Sequence, residues 1–169
     1  MASGSGNKKT ITLITGDGKY VEVEEKVAME FAIVKSFFED NSFASSTKKF
    51  MIPVPNVSAE MLEQIVSYVN GILPLRSKTG GEKEIEAYNR AFVEQLSLEN
   101  LKDMMLAANY LDIRDLIDLL CQGVADGIKN KSVEFVRKFF GIENDYTEEE
   151  EAELRRQNAW AFEDVDPDP

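Results

Sequence analysis

The sequence predicts an α+β fold, in which a small β-region is followed by helices. Apolar residues alternate with polar ones in residues 10–15 and again in residues 19–24, a pattern typical of half-buried strands. The Gly-Asp-Gly triplet at 16–18 separates the two runs and favours a β-hairpin. After Ser97 apolar residues recur at helical spacing, so the second half of the chain is predicted to be helical.

A helix, a loop and a third strand are predicted to follow the hairpin. Apolar residues recur at i, i+4, i+7 and i+11, which indicates one face of a helix and involves Val27, Phe31, Val34 and Phe38. Residues 41–49 are polar and serine-rich, which predicts a loop, and residues 50–52 predict a short strand. The Pro-Val-Pro sequence at 53–55 is expected to close that strand, because proline cannot donate to a central ladder.

The next helix is predicted to begin after Ser58, a suitable N-cap, and to end at Gly71 and Pro74. Residues 74–84 contain two adjacent glycines and mixed charges, and they are interpreted as a flexible insertion. Residues 82–95 have helical potential of their own.

The remaining helices are predicted from apolar stripes and capping residues. The first stripe comprises Leu98, Leu101, Met105 and Ala108, and the second comprises Ile117, Leu120, Cys121, Val124 and Ile128. A shorter helix is expected from Ser132 to a stop at Gly141. Thr147 and Glu150 fit a capping box for a last helix that is predicted to run to Trp160.

These elements predict one α+β domain with a helical extension and a tail at each end. The domain is assigned to residues 10–130 and the extension to residues 131–162. Residues 1–9 are predicted to be a disordered tail and residues 163–169 an acidic tail, because neither segment has enough apolar surface to offset the entropy of ordering.

Net charge and missing residue types exclude several functions. The net charge is −12, from 31 acidic and 19 basic residues, and such a field repels nucleic-acid phosphates and anionic membrane surfaces. The chain contains no histidine and one cysteine. This rules out Ser-His-Asp and Cys-His nucleophilic sites and the standard structural zinc sites. We therefore expect no enzymatic activity, no cofactor and no metal.

The single cysteine also bears on compartment. Cys121 lies within an apolar stripe and is predicted to be a buried small hydrophobe rather than a reactive thiol. One cysteine excludes an intramolecular disulfide, and the N-terminus shows no apolar secretion signal. Cytoplasmic and nuclear localisation is expected.

Two features of the C-terminal half favour protein interaction. The tail is rich in aromatic residues, namely Phe135, Phe139, Phe140, Tyr146, Trp160 and Phe162. An apolar groove completed by a partner helix and a self-contained core explain this surplus equally well. The second feature is Asn109-Tyr110 after two alanines, which fits either an interface or a helix end capped by asparagine.

A set of motifs extends over nearly the whole chain, from about residue 9 to residue 163. In the second half it includes residues 106–113, Leu116, Asp118, Cys121, 124–126, 128–129, 142–151 and 155–160, and in the first half residues 17–18, 21–24, 39–40 and 54–57. In this order they resemble the S-phase-kinase-associated adaptors of SCF ubiquitin ligases, in the form of a diverged plant-type member. One departure is Tyr88-Asn89, where the family usually has Trp-Asp.

The resemblance implies a BTB/POZ-type domain that binds a cullin scaffold and a helical extension that binds F-box proteins. The residues that match the F-box-facing set are Ile117, Cys121, Val124, Ile128, Phe140, Ile142 and Trp160, and those that match the cullin-contacting pair are Asn109 and Tyr110. The function implied is that of a non-catalytic adaptor. The alternative is a subunit or chaperone that binds F-box proteins without a cullin. An open groove also leaves room for weak homodimerisation when no F-box partner is present.

Overall fold

A computed structural model describes residues 9–40 and 50–166 of the chain. The chain forms two compact units, of which unit 1 extends to Gly123 and unit 2 begins at Val124. The predicted domain boundary between residues 130 and 131 stays a prediction. Residues 1–8 of the predicted N-terminal tail (1–9), the predicted loop over 41–49 and the last three residues lie outside the described residues.

The order of elements begins with strands and continues with helices, as expected for the α+β class. The first half contains β1 (Thr10–Thr15), β2 (Tyr20–Glu24), α1 (Glu25–Ala28), α2 (Ala32–Asp40), β3 (Met51–Val54), α3 (Ala59–Arg76) and α4 (Glu82–Glu94). The second half contains α5 (Leu98–Leu111), α6 (Arg114–Ile128), α7 (Val133–Phe140), α8 (Glu148–Gln157) and a 3-10 turn at Ala159–Phe162. Helix α6 crosses the division between the units.

The three strands that the structure describes form one sheet in the order β2-β1-β3. Strands β1 and β2 pair antiparallel, with Thr10 opposite Glu24, so the predicted hairpin is confirmed. Strand β3 pairs in parallel with β1 and places Pro53 opposite Ile14. The expectation that Pro53 closes the strand is therefore wrong. Within the described sheet β3 lies at an edge, where a residue without an N–H is tolerated.

The hairpin turn is fastened to the start of α3 by one carboxylate. Thr15 Oγ1 donates a hydrogen bond of 2.6 Å to Asp17 Oδ1, and the amide of Ala59 donates one of 2.9 Å to the same oxygen. These bonds, that from Thr15 first, lower the pKa of Asp17 to about 2. The turn and the helix N-terminus are thus held together by an ionised side chain.

Unit 1 has a continuous apolar core between one face of the sheet and the helices. Its largest fully buried side chains include Leu13, Val23, Val27, Phe31, Val34, Leu62, Ile65, Ile72, Met104, Leu111, Leu116 and Leu120. Three of the residues predicted to share one helix face, Val27, Phe31 and Val34, are buried as expected. They do not belong to a single helix, because α1 ends at Ala28 and α2 begins at Ala32.

Helix α3 is longer than predicted. It passes through Gly71 and Pro74 and ends at Arg76, so only residues 77–81 of the predicted insertion lie between helices. Pro74 lies near the C-terminal end of the helix, where its missing N–H removes a single helical hydrogen bond. The N-cap was predicted correctly, since Ser58 Oγ accepts a hydrogen bond from the amide of Met61 at 3.3 Å.

In unit 2 the capping residues set the helix ends. Ser132 Oγ accepts a hydrogen bond from the amide of Phe135, and Gly141 ends α7 in the left-handed conformation at φ 66°. The capping box of Thr147 and Glu150 is present at the start of α8. The prediction of a helix as far as Trp160 is wrong: Asn158 follows the end of α8, and both its amide and its side-chain Nδ2 donate to the carbonyl of Leu154.

Neither a membrane-spanning helix nor a cluster of metal-ligating side chains occurs in residues 9–40 and 50–166.

Candidate protein-interaction surfaces

The end of α5 presents the predicted pair Asn109 and Tyr110 at a corner of unit 1. Asp112 adopts the left-handed conformation at φ 52°, and the amide of Ile113 donates to the carbonyl of Ala108 at 3.0 Å. This is the bonding pattern of a Schellman motif. Asn109 therefore does not cap the helix. Its side chain is exposed, and that of Tyr110 is half-buried.

An apolar residue that the sequence analysis did not assign to a site lies on the same helical face. Leu106 is 61% exposed and precedes Asn109 and Tyr110 by three and four residues, which places the three side chains together on the helix surface. Ala107 and Ala108 are buried. The helical spacing of Leu106 from the polar pair was the signal in the sequence for including it.

Helix α6 divides its apolar residues between two adjacent faces. Leu116, Leu120 and Val124 follow one another at four-residue intervals and are buried, whereas Ile117 and Ile128 are partly exposed. The sequence analysis predicted one apolar stripe, which contained residues from both faces. Val124 is only 5% exposed, so its place among the F-box-facing residues stays a prediction.

Cys121 lies on the more exposed face of α6. Its side chain is exposed, with Sγ 3.5 Å from Met105 Sδ. The prediction that Cys121 is buried is wrong, because the face that reaches the core is the one that contains Leu120. Met104 is likewise buried in α5, whereas the predicted Met105 is only partly so.

Unit 2 leaves most of its large apolar side chains in contact with solvent. Phe139 is 6% exposed, but Trp160 is 73% exposed. The exposed set comprises Val133, Phe140, Ile142, Tyr146, Leu154 and Trp160. The two partly buried aromatic residues are Phe135 and Phe162. Of the two explanations of the aromatic surplus, a self-contained core does not describe this unit.

A carboxylate joins α7 and α8 within unit 2. Glu151 accepts hydrogen bonds from Arg137 Nη1 at 2.9 Å, Asn144 Nδ2 at 2.8 Å and Arg155 Nη2 at 3.2 Å. These bonds, that from Arg137 first, lower the pKa of Glu151 below its ordinary value. The carboxylate is therefore ionised at neutral pH and keeps its three partners.

Tyr88 and Asn89, which replace the Trp-Asp pair expected from the resemblance, both form hydrogen bonds with Tyr68 of α3. Tyr88 Oη donates to the carbonyl of Tyr68 at 3.1 Å, and Tyr68 Oη donates to Asn89 Oδ1 at 2.9 Å. Burial raises the pKa of Tyr68 to about 12, so its hydroxyl stays protonated as a donor. A Cβ at Gly71 would lie 2.1 Å from Tyr88 Oη. Gly71 thus makes room for the tyrosine.

Comparisons with known proteins match both halves of the chain. The family model described as the Skp1 family tetramerisation domain matches residues 9–71, and that described as the Skp1 family dimerisation domain matches residues 114–161. A SKP1-like protein 1 from Oryza sativa subsp. japonica is 40% identical, and the match covers 94% of this chain and 98% of the relative.

Two relatives from Arabidopsis thaliana are similarly close. SKP1-like protein 10 is 39% identical, with 92% of this chain and 98% of the relative covered. SKP1-like protein 18 is 39% identical, with 94% of this chain and 98% of the relative covered. Neither family model extends to residues 72–113.

The fold and the comparisons define an α+β protein with a POZ domain and a helical C-terminal unit. The chain belongs to the Skp1 family, and the resemblance stated from its motifs is confirmed. Membership of this family supports a general role as an adaptor of SCF-type ubiquitin ligase complexes. The assignments of individual residues to an F-box or a cullin partner stay predictions.

Proposed function

We propose that the chain is a non-catalytic adaptor subunit of an SCF-type E3 ubiquitin ligase and connects F-box receptors to a cullin. Its contribution to ubiquitination is positional, because without histidine it has no Ser-His-Asp or Cys-His site. Rigid attachment at both surfaces keeps a receptor and its substrate within reach of the ubiquitin-carrying enzyme. The proposed place of action is the cytoplasm and the nucleus, which imaging of a fluorescent fusion tests.

The observation that carries the proposal is the exposure of large apolar side chains in unit 2. Burial of one such side chain contributes roughly 1.5–3 kcal/mol before the costs of association are subtracted. Phe140, Ile142 and Trp160 are 41%, 56% and 73% exposed, so all three have surface left to bury in a complex. An amphipathic helix is the partner that such a surface suits.

The acidic character of the chain supports the choice of partner. A net charge of −12 favours association with basic protein surfaces and accelerates their approach. This electrostatic attraction affects the association rate and its dependence on salt more than the equilibrium affinity. The apolar side chains supply the affinity.

The F-box part of the proposal is tested by binding titrations with a purified F-box domain. Trp160→Ala and Ile142→Asp are expected to weaken binding at least tenfold, because Trp and large apolar anchors dominate such interfaces. Tyr20→Ala is the matched control, since Tyr20 is 67% exposed on the sheet of unit 1. Full affinity in both unit 2 variants contradicts the assignment.

The cullin part is tested separately at the corner of α5. Asn109→Lys with Tyr110→Lys is expected to abolish binding of a cullin N-terminal domain and to leave F-box binding unchanged. Asn70→Lys, on the exposed surface of α3, is a control for the added charge. If the unmodified chain binds the F-box domain but does not bind the cullin domain, the alternative function is identified, that of a cullin-independent F-box-binding subunit.

A further inference from the structure

Trp160 lies in a short turn that has little support of its own. The 3-10 turn spans four residues, and the amide of Ala161 donates to the carbonyl of Asn158, the residue before the turn, at 2.9 Å. Short 3-10 segments have poorer hydrogen-bond geometry than α-helices. Trp160 is also 73% exposed, so burial does not hold it in place.

A guanidinium connects this turn to the body of unit 2. The Cζ atom of Arg155 lies 4.8 Å from the ring centroid of Phe162, two residues from Trp160. Cation–π contacts of this geometry are attractive and restrict the ring. The same guanidinium also forms ion pairs with Glu134 of α7 and with Glu151. The turn is thereby connected, through this side chain, to α7 and α8.

Glu151, together with Glu134, determines where that guanidinium lies. It is only 23% exposed and is held by Arg137 of α7 at 2.9 Å and by Asn144 of the α7–α8 connection at 2.8 Å, so its own position is constrained from two sides. A half-exposed arginine without such a partner retains considerable rotamer entropy. The carboxylate therefore restrains Arg155 alongside Glu134, and Arg155 in turn restrains Phe162.

The segment after the turn is held independently. The amide of Asp166 donates to the carbonyl of Asn130 at 2.8 Å, and Lys131 Nζ lies 3.2 Å from Asp166 Oδ2. The turn is thus attached on its C-terminal side to the start of the α6–α7 connection and on its N-terminal side to α8. Between these attachments, the guanidinium of Arg155 lies over the ring of Phe162.

We propose that Glu151 and Arg155 are positioning residues that hold the Trp160 turn ready for an apolar partner helix. This inference rests on the proposed function at the same surface. Pre-ordering of an interface side chain reduces the entropy lost on association. Neither residue needs to contact the partner for the effect to operate.

Trp160 is the single tryptophan of the chain, so its fluorescence reports on this turn alone. In the full-length free protein, Glu151→Gln is expected to lower the fluorescence anisotropy of Trp160 and to increase its quenching by acrylamide. Arg155→Lys keeps the charge but loses the planar group over Phe162, and it is expected to do the same. Glu149→Gln, at an exposed position in the first turn of the same helix, is the matched control. Equal anisotropy in all four proteins overturns the proposal.

F-box affinity of the same proteins completes the test. Glu151→Gln is expected to weaken binding roughly two- to tenfold relative to Glu149→Gln, the range that ordering one side chain accounts for. A lower anisotropy of Trp160 in Glu151→Gln with unchanged F-box affinity also overturns the positioning role. If Trp160→Ala alone retains full affinity, the positioning role is overturned. If Ile142→Asp retains it as well, the proposed function of this surface fails, whatever the anisotropy shows. Far-UV circular dichroism of each variant identifies loss of α8 as a separate cause.

Discussion

Units 1 and 2 differ in what happens to their large apolar side chains. Phe31, Leu62 and Met104 of unit 1 are completely buried, and the core extends through the sheet, α3 and α5. In unit 2, Phe139 and Val124 are buried, while Ile142, Trp160 and four other large apolar side chains remain exposed. A side chain in the first set stabilises the fold, and a side chain in the second set is available for association. Stability and binding are therefore expected to depend on different residues.

The largest effect predicted is a contrast between two aromatic truncations. Phe31→Ala is expected to lower the free energy of unfolding by about 3–5 kcal/mol, because it leaves a cavity at a fully buried position. Trp160→Ala is expected to change it by no more than about 0.5 kcal/mol, since the side chain is mostly solvated. Urea unfolding followed by circular dichroism measures both. Similar losses in the two variants remove the distinction between the units.

A second prediction concerns the close approach of α3 and α4 in unit 1. Gly71→Ala is expected to destabilise by about 1–3 kcal/mol, because the new Cβ collides with the ring of Tyr88. In a Tyr88→Ala background the same substitution is expected to stabilise by about 0.5–1 kcal/mol, as alanine is favoured over glycine in a helix. A double-mutant cycle by urea unfolding gives the coupling. Equal effects in both backgrounds show that Tyr88 does not determine the need for glycine.

The smallest predicted effects compare the helix ends of the two units. Gly141 ends α7 at φ 66° with no atom near its missing Cβ, so Gly141→Ala is expected to cost about 1 kcal/mol through backbone strain alone. Asp112 ends α5 at φ 52°, and Asp112→Gly is expected to stabilise by less than about 1 kcal/mol. Thermal unfolding measures whether each substitution raises or lowers the stability. Two changes of the same sign contradict this account of the helix ends.

Signals that act within a few residues were predicted well from the sequence. The hairpin turn at 16–18, the N-cap Ser58 and the capping box of Thr147 and Glu150 are all present. Each depends on a hydrogen bond or backbone conformation formed between residues at most four apart. Local chemistry is sufficient to specify such features.

The sequence-based predictions were wrong where a contact with a residue distant in the sequence determines the structure. Gly71 was interpreted as a helix stop, but the reason for a glycine there is Tyr88, which lies seventeen residues further along and packs against it. The assignment of Cys121 to the core was wrong by one position on α6, since adjacent residues differ by about 100° around a helix. A rotation of this size exchanges the core face for the neighbouring exposed face.

The candidate site was predicted in part. The aromatic surplus indicated either a groove or a closed core, and only the structure distinguishes them, through the exposure of Trp160 and Ile142. The partner and the individual residue roles came from the resemblance, because periodicity does not identify what covers an apolar face. The supporting network around Glu151 was not predicted, since its three donors come from three separate segments.

The central claim is that unit 2 keeps Trp160 exposed until an F-box helix covers it. The most direct measurement is acrylamide quenching of Trp160 fluorescence with and without a bound F-box domain that itself lacks tryptophan. We expect a blue shift of the emission and a marked loss of quenching when the complex forms, as the 73% exposed side chain becomes buried. Complex formation with unchanged emission and unchanged quenching would contradict the account.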